Sequence, residues 1–175
     1  MKITAIIQAR STSVRLPNKA LKEINGKAIV EILFKRLSIS KKINKIVFAI
    51  PKEPEEKLLK KHLLSLGCNL FEGSSNDVLD RYYQAAKKFK SDIIVRITAD
   101  CPLVDSSIVD QMISKLMKNK LDFISNCSPP TYPDGLDVWV CTMAALKTAW
   151  SKAKNPRDRE HVMNYIINSK NFFKD

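Results

Sequence analysis

The segment Arg10-Ser11-Thr12-Ser13-Val14-Arg15-Leu16-Pro17-Asn18-Lys19 packs three cations and three hydroxyls into ten residues. That density of donors suits a triphosphate, which needs several hydrogen bonds and charge neutralisation at once. The short β-branched run Lys2 to Gln8 stops just before it, so a buried strand would deliver the basic residues to one fixed place. Leu16-Pro17 would stiffen the chain between Arg15 and Lys19. A solvated basic loop is the plainer alternative.

A second segment, Arg96-Ile97-Thr98-Ala99-Asp100-Cys101-Pro102-Leu103-Val104-Asp105, puts Asp100 just beyond another apolar run. One carboxylate there suits Mg²⁺, which is held by one or two carboxylates with phosphate oxygens and water, and which would offset charge building on a leaving pyrophosphate. Asp100 could instead cap the following helix, but Asp105 or Ser106 is better placed to do so.

Both segments need strands to aim them. Lys45 to Ile50 stops at Pro51, Asn69 to Glu72 at Gly73, and Asp92 to Ile97 ahead of Asp100. Between them, Ile29 to Leu37, Glu53 to Leu66, Asp77 to Phe89 and Ser106 to Lys118 space apolar residues three and four apart, with Gly67 as a C-cap. Alternating strands and helices imply a largely parallel α/β sheet, whose ligands bind outside the carboxyl ends of the strands. After a strand at Phe123 to Asn126, a turn-rich loop from Ser128 to Gly135 leads to a strand over Leu136 to Val140. Thr142 would cap a helix from Met143 to Lys154, and Arg157 to Asn168 reads as the last helix.

The chain has 175 residues, 45 % of them hydrophobic, with few Gly and Pro and a net charge of +12. It is long enough for a proper core, and disordered and collagenous classes drop out. No apolar run approaches the length of a membrane helix or a signal segment, so a cytoplasmic protein with no membrane partner is expected. Cys68, Cys101, Cys127 and Cys141 form no CxxC pair, which points to reduced, buried thiols and away from zinc. The lysines fall on helix faces without zinc-finger spacing or an RNP-like strand, so no nucleic-acid partner is expected. His62 reads as exposed, while Cys101 and Tyr82-Tyr83 read as packing residues. Arg81 either reaches a nucleotide base or lies on a solvent face.

Taken in order, Ile6 to Arg10, Arg15 to Lys19, Asp77 to Tyr83, Arg96 to Leu103 and Tyr132 to Val138 resemble the cytidylyltransferases of the spore-coat polysaccharide type. These are relatives of the acylneuraminate and 3-deoxy-manno-octulosonate cytidylyltransferases. The similarity runs from about residue 3 to residue 166.

The resemblance implies a Rossmann-like three-layer nucleotide-diphospho-sugar transferase fold with a mostly parallel mixed sheet. It also implies CTP as nucleotide, Mg²⁺ as cofactor and a homodimeric state. By position, Arg10, Ser13, Arg15 and Lys19 would hold the triphosphate, with Gln8, Ala9 and Arg81 completing the nucleotide site. Asp100 would bind the metal and act with Arg15 and Lys19 in catalysis. Asp134, Asp137, Arg159, Glu160 and His161 would contact the sugar, and His161 could equally cap or pack its helix. Where the family favours glycine or a small residue, this chain has Thr12 and Asn18. Residues 1–175 are expected to form one nucleotidyltransferase-like domain lacking the C-terminal segment of full-length relatives, which carries a second metal ligand; Asp137 is a candidate replacement. The expected activity is CMP transfer from CTP to a sugar or sugar acid for surface polysaccharide. A nucleotide-sugar-dependent glycosyltransferase and a non-catalytic nucleotide- or sugar-binding remnant are the rival readings.

Overall fold

The computed structural model describes residues 1–13, 16–169, 173 and 174. Its centre is a six-stranded sheet with the spatial order β5-β4-β1-β6-β8-β7. Those strands are β1 (Ile3–Gln8), β4 (Lys45–Pro51), β5 (Asn69–Gly73), β6 (Ile93–Thr98), β7 (Phe123–Ser125) and β8 (Trp139–Thr142). β5, β4, β1 and β6 run parallel, whereas β8 is antiparallel to both β6 and β7. A separate two-stranded hairpin pairs β2 (Glu23–Ile24) with β3 (Lys27–Ala28).

Strand alternation divides the core between the two faces of the sheet. Ala5, Ile7, Phe48, Ile50, Val95 and Ile97 share one cluster with residues of α1 (Ile29–Leu37), α2 (Lys57–Ser65) and α4 (Ser106–Asn119). Ile6, Ala49 and Ile94 point the other way, into a cluster with residues of α3 (Val78–Lys88), α5 (Met143–Lys152) and α7 (Asn164–Asn168). The result is three layers, helices covering a mostly parallel mixed sheet: the alternating elements predicted the parallel α/β part, and the resemblance the layering and the mixed sheet. Tyr82 is fully buried in the second layer and donates its hydroxyl to the carbonyls of Ile6 at 3.1 Å and Ile97 at 3.3 Å, tying α3 to adjacent central strands. Burial pushes its phenol up to about 12. All four cysteines are free; three are buried and Cys127 is half-buried. No helix among the described residues is long and apolar enough to cross a membrane.

Several boundaries differ from the sequence expectation. The helix expected from Glu53 opens instead with a 3-10 turn over Pro54–Glu56, and α2 begins at Lys57. The strand expected at Leu136 begins at Trp139, because the Asn126 side chain takes the Leu136 carbonyl and the Val138 amide that a ladder would otherwise use. The last helix is two pieces, α6 (Pro156–Glu160) and α7, separated at His161, whose backbone is non-helical. The interruption buries Val162 and Met163 while Glu160 and His161 stay exposed. The β2–β3 hairpin was not expected, although Asn25-Gly26, both at positive φ, is the sequence signature of such a turn. His62 is half-buried instead of exposed, and its Nε2 has no hydrogen-bond partner.

Candidate active site

β1 and β6 are neighbours in register, with Gln8 opposite Thr98. The chain leaving β1 goes to β4 on one side, while β6 lies on the other, so their carboxyl ends flank the point where strand order reverses. A crevice opens there because the two following loops diverge. It has a volume of about 210 Å³. Gln8 at the end of β1 and Ala9, Arg10, Ser13 and Lys19 beyond it line one side, Thr98 at the end of β6 with Ala99 and Asp100 beyond it line the other, and Arg81 of α3, Glu160 of α6 and the adjoining His161 form the remaining wall. Two segments that are far apart in sequence thus meet as expected. Arg15 lies outside the described residues.

Lys19 Nζ and Asp100 Oδ2 form an ion pair at 2.6 Å across the mouth of the crevice. Partial burial pulls the Asp100 carboxyl upward, but its bonds with Lys19 and Thr98 and the Lys19 charge outweigh burial, so its pKa is lowered. Asp100 is therefore a carboxylate at neutral pH. Asp105 is the cap of α4, accepting from the Ser107 and Ile108 amides, which leaves Asp100 free of that structural duty. Cys101 has its thiol pushed up by burial, against a hydrogen bond with Thr98, and the charges of Asp100, Asp137 and Asp134 add to the rise. Asp134 and Asp137 thus lie within electrostatic range of the Asp100 side of the crevice without being among its lining residues.

Arg81 is only 3 % exposed, which removes the solvent-face reading. It donates from Nη1 to the Ser74 carbonyl at 2.6 Å, and its buried Nε has no partner. Burial lowers its pKa, the charges of Tyr82 and Glu56 oppose that, and Arg10 adds to the lowering. Gly73 makes room for this side chain, since a Cβ there would lie 2.9 Å from the Phe71 ring and 3.0 Å from Arg81 Cγ. Arg10, Lys19 and Arg81 bring three cations to the crevice, against the carboxylates of Asp100 and Glu160.

Asn18, where the resemblance led to an expectation of glycine, sits at φ 54° in the left-handed region. Asparagine tolerates that region better than other side-chain-bearing residues, so the turn into Lys19 is preserved. Arg159 is committed within the protein: its Nε donates to Asp77 Oδ2 at 2.9 Å, its Nη2 donates to the same oxygen, and its Nη1 donates to the Trp150 carbonyl at 2.6 Å. The side chain anchors α6 to α3, and the two residues after it, Glu160 and His161, form the crevice rim. Thr98 and Ala99 at the end of β6, Ala20 in the turn after Lys19 and Val78 at the start of α3 also line the crevice and were not singled out from sequence, because small and apolar residues carry no chemical signal.

A family model described as cytidylyltransferase matches residues 4–175. This chain belongs to the cytidylyltransferase family. It is 43 % identical over 174 residues to the uncharacterized protein MJ1063 of Methanocaldococcus jannaschii, covering 99 % of this chain and 70 % of that protein. It is 31 % identical to the spore coat polysaccharide biosynthesis protein SpsF of Bacillus subtilis, covering 95 % and 70 %. A cytidylyltransferase structure from Leptospira borgpetersenii superposes with a TM-score of 0.94 at 34 % identity, over 99 % of this chain and 74 % of that one. The family and fold expected from the ordered motifs are those found.

Proposed function

We propose that this cytidylyltransferase moves CMP from CTP to a sugar or sugar acid destined for surface polysaccharide, releasing pyrophosphate in the cytoplasm. The observation that supports it most is the meeting of the β1 loop cations with Asp100 in one crevice at the strand ends. The relation to SpsF supports the polysaccharide context.

The residues present suit a bound Mg²⁺. Asp100 is an ionised, half-exposed oxygen donor with a hydroxyl neighbour in Thr98, and Mg²⁺ needs only one or two carboxylates beside phosphate and water. No group of three acidic, His or Cys residues that could hold a metal occurs among the described residues. When bound, the ion would supply charge neutralisation on the phosphates.

In the reaction, the acceptor hydroxyl passes its proton to water as its oxygen bonds to the α-phosphorus, and the bond from the α-phosphorus to the bridging oxygen breaks, its electron pair leaving with pyrophosphate. Arg10, Ser13 and Lys19, with Arg15 of the same loop, bind the triphosphate. Lys19 also stabilises the charge gathering on the departing pyrophosphate. To do so it must exchange its contact with Asp100 for one with phosphate, which frees Asp100 as a donor. Gln8, Ala9 and Arg81 face the nucleoside end. Glu160 and His161, held by Arg159, and the loop bearing Asp134 and Asp137 face the acceptor.

Pyrophosphate release from CTP across a panel of sugars and sugar acids tests the reading. Lys19→Ala and Asp100→Ala should each lower turnover by about 10²–10³-fold, the scale of losing one charge-stabilising group, while circular dichroism shows an intact fold. Undiminished turnover in both variants contradicts the mechanism. Consumption of a nucleotide-sugar in place of CTP would instead indicate a glycosyltransferase.

A further inference from the structure

Glu56 lies at the end of the 3-10 turn after β4 and is 2 % exposed. Its two carboxylate oxygens each accept the Ser11 amide at 2.9 Å, and Oε2 also accepts the Ser11 hydroxyl at 2.9 Å. Ser11, itself buried, then uses its carbonyl to accept the amides of Ser13 at 3.0 Å and Asn18 at 2.9 Å. One peptide group therefore gathers both ends of the loop that runs from Ser11 to Lys19. A buried carboxylate is costly unless its oxygens are satisfied, and here the donors that satisfy it belong to a single residue of that loop. Neither Glu56 nor Ser11 lines the crevice.

We propose that Glu56 is a positioning residue that clasps the phosphate loop shut through Ser11, setting Ser13 and Lys19 in the crevice before nucleotide arrives. The carboxylate suits this role because Oε1 and Oε2 share the Ser11 N–H and Oε2 also takes the Ser11 hydroxyl, so neither oxygen faces an acceptor. In Glu56→Gln one oxygen becomes an NH₂ that faces the Ser11 donors, so the shape persists but the clasp opens. The part of this inference that concerns CTP rests on the proposed function; the closed loop does not.

The test combines amide hydrogen exchange on the ligand-free chain with calorimetric titration of CTP in Mg²⁺. In Glu56→Gln, the Ser13 and Asn18 amides should exchange about tenfold faster while those of Ile6 and Ile7 in β1 are unchanged. The dissociation constant for CTP should rise by about tenfold, the scale of one charge-assisted hydrogen bond. Glu56→Asp keeps both acceptor oxygens and should recover part of the protection. Ser11→Ala removes only the hydroxyl contact and should speed the same two amides by a few-fold, which decides the matter if Glu56→Gln does not fold. Unchanged protection at Ser13 and Asn18 overturns the clasp, as does acceleration spread equally over β1, which marks a merely structural role. If the unaltered chain binds no CTP, the nucleotide reading fails, and selective loss of Ser13 and Asn18 protection still supports the clasp.

Discussion

Asp77 divides its carboxylate between two tasks, and substitution can separate them. Oδ1 accepts the Asp80 amide at 2.8 Å and caps α3, while Oδ2 receives both Nε and Nη2 of Arg159. Asparagine caps a helix about as well as aspartate, so Asp77→Asn keeps the cap and loses the charge, whereas Asp77→Ala loses both. The cap contributes about 1 kcal/mol. The charge-assisted pair is 21 % and 32 % exposed at its two side chains, and after discounting for solvent screening it contributes about 1–1.5 kcal/mol. Asp77→Asn should therefore cost about 1–1.5 kcal/mol and Asp77→Ala about 2–2.5 kcal/mol. In a chain of this size the latter lowers Tm by roughly 4–10 °C. Urea unfolding at low and high salt is the assay: the Asn deficit should shrink at high salt, and the further Ala deficit should not. Equal stability of the two variants would refute the cap, and an Asp77→Asn variant as stable as the unaltered chain would refute the ion pair.

Lys19→Ala should raise the Asp100 pKa, because partial burial then acts with less opposition, and carbon NMR titration of the carboxyl reads this directly. In the unaltered chain the lowered folded value means that Asp100 contributes stability at pH above about 3.9. That contribution is lost as pH falls through the lowered folded value, and the acid-sensitive part should diminish in Lys19→Ala. Tyr82→Phe should cost about 1 kcal/mol from the lost hydroxyl bonds, measured by urea unfolding. Ultraviolet titration should show no Tyr82 phenolate until pH approaches about 12.

The crevice was legible because its chemistry follows the punctuation of the strands: Arg10 and Asp100 stand directly after apolar runs, and parallel strands in register bring such positions together. Asp105 as a cap and Gly67, at positive φ after α2, were legible for equally local reasons. Glu56 was not, since Glu53, Glu55 and Glu56 look alike in sequence and only the turn at Pro54 rotates one of them inward. Arg81 likewise became a buried crevice residue only through the space that Gly73 leaves, a contact between separate elements. Arg159 was expected to contact the sugar by its position in the resemblance, whereas its partners in the fold, Asp77 and Trp150, could not be read from its own segment of sequence. The break at His161 follows from burying Val162 and Met163, a tertiary demand that helical periodicity does not reveal.

The most direct measurement is an amide NMR titration of the chain with CTP and Mg²⁺, run beside UTP, GTP and ATP. Saturable shifts for CTP concentrated at Gln8, Ala9, Ser13, Lys19, Ala99 and Asp100 are the expected result, with a stability gain of roughly 2.7 kcal/mol at 100 times the dissociation constant. No shift at these residues with CTP, or shifts confined to the helical faces, would contradict the assignment of this crevice as the nucleotide site.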